Sequence, residues 1–94
     1  MRIMSIVGAI MVLAACGPTQ SDECKKFVEC NADYGKLEGV TATDYESTHG
    51  AKGTCWSSNA AAADACTKTC VDQLEVIKTA VGNMDGVDLP ASCN

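Results

Sequence analysis

Polar and apolar positions recur with a helical period over two stretches of the chain. In residues 22–37, Cys24, Phe27, Val28, Cys30, Tyr34 and Leu37 fall on one face, and Lys25, Lys26, Glu29, Asp33 and Lys36 fill the opposite arc. Ser21 stands where an N-cap is needed, and Asp22 and Glu23 in the first turn complement the helix dipole. Asn31 is the one polar residue inside the apolar arc. In residues 59–81, Ala62, Cys66, Cys70, Leu74, Ile77 and Val81 recur at spacings of three and four, with Asp64, Lys68, Asp72, Glu75 and Lys78 behind them. Ser57 or Ser58 can cap this second helix, and Gly82-Asn83 stops it. The connection between the helices is rich in glycine (Gly35, Gly39, Gly50, Gly53). Within it Thr43-Asp44-Tyr45-Glu46 matches a capping box, which predicts a short helix to about residue 48. Gly50-Ala51-Lys52-Gly53 then predicts a turn, as do Asp85-Gly86 and Leu89-Pro90 in the tail. Alternation with the period of a strand is almost absent. The pattern predicts an all-α domain, a small disulfide-stapled helical hairpin with a short extra helix.

The first residues follow a different rule. Arg2 puts a positive charge at the start, and an apolar run over 3–13 follows, interrupted by Ser5 and Gly8. A basic start, a short apolar core and small residues at the exit describe a secretory signal. A membrane-spanning helix needs about 20 apolar residues, and this run is too short. The exit, Leu13-Ala14-Ala15-Cys16, resembles the bacterial lipobox. That resemblance implies a diacylglyceryl group on the Cys16 thiol and cleavage before it. The expected organisation is a lipoprotein signal peptide over 1–15, a lipidated tether over 16–21 and one cysteine-rich helical domain over 22–94. Where an aspartate in other lipoproteins favours the inner membrane, this chain has Gly17. The resemblance therefore implies outer-membrane sorting.

Cysteine count changes the picture of stability. Of the seven cysteines, Cys16 is assigned to the lipid, leaving an even six in the patterned region. A domain of this size buries a low fraction of its surface and calls for staples. In an exported chain, six cysteines predict three bridges. Cys66 and Cys70 lie one turn apart on one face, and Cys24 and Cys30 flank the face of the first helix. Antiparallel helices would join Cys24 to Cys70 and Cys30 to Cys66, leaving Cys55 to Cys93. Parallel helices would instead allow Cys24–Cys66 and Cys30–Cys70.

Charge narrows the partners. After residue 15 there are six lysines, no arginine and twelve acidic residues, and this excess of negative charge disfavours nucleic acid and electrostatic docking on anionic lipid. The expected partners are the membrane, through the lipid on Cys16, and a protein of the envelope; the domain is expected to be a monomer. No Asp-rich loop has EF-hand spacing. The chain has neither the Cys-x-x-Cys of a thioredoxin-like site nor the Cys-x-x-Cys-His of haem attachment; zinc could use four of the cysteines, but an oxidising compartment favours bridges, so no cofactor or metal is expected. His49, the single histidine, is expected to end the short helix, and Trp56 to plug the core against a bridge. Glu29, Asp33 and Asp64 read as solvated helix faces. No acid–base or nucleophilic pair emerges, and the expected function is a non-catalytic binding or structural module. The alternative is an envelope enzyme or a thiol-redox accessory protein.

Cys24, Phe27-Val28-x-Cys30, Gly50-x-x-Gly53-Thr54-Cys55-Trp56 and Cys66-x3-Cys70 together resemble a group of small cysteine-rich lipoproteins of myxobacteria and their relatives. That resemblance implies a class of envelope protein without an assigned activity, and it transfers no site.

Overall fold

Ser21 starts the first helix as its position predicts. Its Oγ accepts from the Cys24 N–H at 3.3 Å, and helix α1 runs over Asp22–Tyr34. A computed structural model describes residues 18–94; the signal-like segment and the lipidation expected at Cys16 lie outside the described residues. Helix α1 ends three residues before Leu37. Gly35 closes it by donating to the Asn31 carbonyl at 2.9 Å, and Leu37 packs on the core from the turn that follows.

A short helix α2 covers Glu46–His49, and a 3-10 turn covers Thr54–Trp56. The Thr43–Glu46 capping box does not form. Asp44 Oδ1 accepts the Glu46 N–H at 2.9 Å instead, while the Thr43 carbonyl is taken by Asn31 Nδ2 at 2.6 Å. The polar misfit on the apolar face of α1 thus ties the connection to the helix. The long helix α3 spans Ala60–Gly82. Its cap is Asn59, whose side chain accepts from the Ala62 N–H at 2.8 Å, in place of Ser57 or Ser58. Asn83 stops it, Gly86 supplies a positive φ of 71° in the turn, and a second 3-10 turn, Ala91–Cys93, ends the tail. Among the described residues there is no strand, and no helix is long and apolar enough to cross a membrane.

The core joins Cys24, Phe27 and Cys30 of α1 to Ala63, Cys70, Ile77 and Val81 of α3, with Cys55, Trp56 and Cys93 closing it. Ala63 is buried where the sequence pattern favoured Ala62, a shift of one residue in the inward face. The fold is therefore all-α and disulfide-stapled.

Bridging differs from the expected set. Cys24 joins Cys70 with Cα atoms 5.1 Å apart, as expected. Cys30 joins Cys93 at 4.7 Å rather than Cys66, and Cys55 joins Cys66 at 6.0 Å rather than Cys93. The sense of the two helices explains the change. Thr67 Oγ1 donates to Ser21 Oγ at 2.8 Å, and three residues further along each chain Cys24 meets Cys70. Contacts advance together, so α1 and α3 run in the same sense where they touch. Cys66 then lies level with the start of α1. Cys30 is about 13 Å further along the axis, beyond the reach of a bridge. The tail turns back after α3 and reaches Cys30, where Ser92 Oγ donates to Asp33 Oδ2 at 2.6 Å. Asp33 is accordingly more than solvated surface, although its contact with Lys36 Nζ at 3.7 Å is an exposed pair. The parallel alternative, Cys24–Cys66 with Cys30–Cys70, is not formed either.

Candidate functional site

The segment 46–56 folds back on itself tightly, and three residues make it do so. The Gly50 carbonyl accepts the Gly53 N–H at 2.9 Å and the Trp56 Nε1–H at 2.8 Å. A Cβ on Gly53 would overlap the Thr48 carbonyl, and one on Gly50 would overlap the Glu46 backbone and carboxylate. Only glycine permits this approach at either position. Trp56 is 5% exposed, and its one polar atom is satisfied within the turn. This is the core plug expected from the sequence. The turn holds Cys55 beside α3, where the Cys55–Cys66 bridge fastens it.

His49 closes α2 above that bridge. Its ring meets Tyr45 edge-on at 5.3 Å between centroids, and Tyr45 meets Phe27 of α1 at 4.9 Å. Thr48 Oγ1 lies 2.7 Å from His49 Nδ1, and Gln20 Nε2 donates to the His49 carbonyl at 2.9 Å. Partial burial disfavours the imidazolium and lowers the His49 pKa from its ordinary value. One ring nitrogen of His49 and the sulfurs of Cys55 and Cys66 all lie within 4.8 Å of one another. In the oxidised protein the two sulfurs are spent on each other and offer no thiolate to a metal. The chemistry available at this corner is that of a disulfide with an imidazole beside it.

Known proteins offer no guide to this corner. The chain matches no family model, no curated protein and no solved structure.

His49 stands at the end of α2, as the sequence pattern predicts. The sequence does not bring His49 to the two sulfurs, because the Cys55–Cys66 pairing that gathers them there is not among the expected bridges. The fragment Gly50-x-x-Gly53-x-Cys55-Trp56 was the available signal. Its two glycines and its tryptophan are the residues that fold His49 back over Cys55. Glu29 and Asp64 are exposed on their helices. A separate groove of about 410 Å³ lies beside the end of α1, bordered by Val28, Asn31, Gly35, Val40 and Tyr45. It is open, and Lys36 and Asp44 are the charged residues on its border.

Proposed function

We propose that this chain is a lipid-anchored protein of the bacterial envelope whose folded part is a non-catalytic binding or structural module. The observation that carries the reading is Leu13-Ala14-Ala15-Cys16 at the end of a short apolar run with Arg2 ahead of it. Two further features support it. All six cysteines after Cys16 are bridged to one another, so the framework has no bridge left to offer a seventh. The folded unit also begins close behind Cys16: Gln20 bonds to His49, and Ser21 both caps α1 and accepts from Thr67. A lipid at Cys16 would hold the module within a few residues of the bilayer surface, and the acidic chain has no basic patch to do so by charge. Gly17 favours the outer membrane over the inner. The likeness to small cysteine-rich lipoproteins with a Gly-x-Cys-Trp core points the same way.

Mass spectrometry of the protein purified from the envelope tests the reading. A lipid-sized increment on Cys16 is expected. Cys16→Ala should abolish both the increment and membrane association while leaving helicity and the three bridges unchanged. A Cys16 that carries no lipid, or that is disulfide-linked, overturns the anchor; recovery with the inner membrane overturns the sorting. His49 beside the Cys55–Cys66 bridge favours a second reading, a thiol-redox accessory protein.

A further inference from the structure

We propose that Cys55, Cys66 and His49 form a metal site gated by reduction, which takes zinc or a similarly thiophilic closed-shell cation once a thiol reductant has opened the Cys55–Cys66 bridge. The inference stands on side-chain geometry in the folded domain and does not depend on lipid anchoring.

Three observations converge on it. The first is juxtaposition. Two sulfurs and one imidazole nitrogen already lie within 4.8 Å of one another, and the Cα atoms of Cys55 and Cys66 are 6.0 Å apart. Zinc–sulfur bonds of about 2.3 Å require the sulfurs of a tetrahedral site to sit about 3.8 Å apart. Rotation about the two Cα–Cβ bonds can supply that separation once the bridge is open.

The second observation is the orientation of the histidine. Thr48 Oγ1, 2.7 Å away, can accept a hydrogen bond from Nδ1–H of the His49 tautomer whose lone pair is on Nε2, the nitrogen that would face a metal. Metal-ligating histidines are commonly held in this way by a partner on the far nitrogen. The edge-on stack with Tyr45 and the Gln20 bond to the His49 carbonyl fix the same residue from other sides.

The third is selective access. Cys24, Cys70, Cys30 and Cys93 are all fully buried, whereas Cys66 is partly exposed. Cys55–Cys66 also closes the shortest loop, with a sequence separation of 11 against 46 and 63. Opening it releases the least chain entropy, and exchange needs an approachable sulfur. The two remaining bridges still tie α1 to α3 and the tail to α1, so the corner can open while the core stays stapled.

The steps balance as follows. A dithiol reductant attacks the partly exposed sulfur of Cys66, passes through a mixed disulfide and leaves as its own cyclic disulfide. Its two electrons and two protons end on Cys55 and Cys66. Binding of a divalent cation then displaces the two thiol protons to solvent, and neutral His49 adds its lone pair. Cys2His ligation leaves the fourth position to water.

The test uses the full chain with Cys16→Ser, so that no other thiol competes. Limited treatment with a dithiol, followed by alkylation and peptide mapping, should label Cys55 and Cys66 at least tenfold ahead of the other four. The partly reduced protein should then bind one equivalent of zinc that the oxidised protein does not bind, with helicity retained. Cobalt in place of zinc should give thiolate-to-metal charge-transfer bands, and His49→Gln should weaken metal binding at least tenfold. Because the chain has a single histidine, its ring resonances report ligation in the protein that retains it, whether or not the variant folds. They should shift on metal addition only after reduction. Earlier labelling of Cys24–Cys70 or Cys30–Cys93, no gain of zinc on reduction, or unmoved histidine resonances would each overturn the proposal.

Discussion

At the scale of single residues, the molecule is decided by a few polar atoms placed among apolar ones. Trp56 is the clearest case: its ring is buried and its N–H reaches the Gly50 carbonyl, which also accepts from Gly53. Trp56→Phe keeps an aromatic plug and removes that donor. We expect a loss of about 1–2 kcal/mol in urea unfolding with the bridges intact; an unchanged midpoint would show that the bond contributes nothing. That Trp56 would be buried was legible in the sequence, because an aromatic beside a bridging cysteine in a small domain has few other uses. Asn31 was legible only as a misfit. Its partner is the backbone carbonyl of Thr43, and side-chain patterning carries no information about which carbonyl will be near. The helix end at His49 is legible in the sequence, but its neighbours across space are not, since they depend on how the chain packs.

At the scale of elements, what sequence supplied was period, and what it left open was the residue that closes each end. Both long helices follow their apolar faces, yet α1 stops at Tyr34 although the apolar pattern continues to Leu37. Gly35 breaks the helix there, and Leu37 still reaches the core from outside it. Three polar residues in a row, Ser57, Ser58 and Asn59, compete to cap α3. The Ser57 hydroxyl is already engaged, donating to the Thr54 carbonyl at 2.9 Å to close the 3-10 turn, while Asn59 has extended backbone and accepts from the third residue after it. Asn59→Ala should therefore cost about 1 kcal/mol in chemical denaturation, and Asn59→Ser only a few tenths. If Ser58→Ala proved the more damaging, the cap would be misassigned. The capping box at Thr43 failed for a related reason. Asn31 holds the Thr43 backbone, so Asp44 takes over the exposed N–H at the start of α2.

At the scale of the whole molecule, the three bridges divide the labour unequally, and their pattern follows from the sense of two helices. A connection as long as 35–59 can return the chain either way, so the cysteine spacings alone could not choose between parallel and antiparallel packing. The Ser21–Thr67 and Cys24–Cys70 contacts choose it, and with it the partners of Cys30 and Cys66. The sequence separations are 46 for Cys24–Cys70, 63 for Cys30–Cys93 and 11 for Cys55–Cys66. In the chain-entropy treatment these contribute about 4, about 4 and about 3 kcal/mol. Burial sharpens the contrast. The first two bridges sit fully inside the core, so their loss also leaves voids among packed side chains, while the third lies at a partly exposed corner. Paired alanine replacement should thus rank the bridges. Cys55→Ala with Cys66→Ala should lower the thermal midpoint least and keep most of the helical circular dichroism. Cys24→Ala with Cys70→Ala, which unties α1 from α3, should lower it most or abolish folding at 37 °C, since a domain this small has little other core to rely on. A thermal midpoint that fell furthest for the Cys55–Cys66 pair would mean that the corner, and not the α1–α3 seam, holds the fold together.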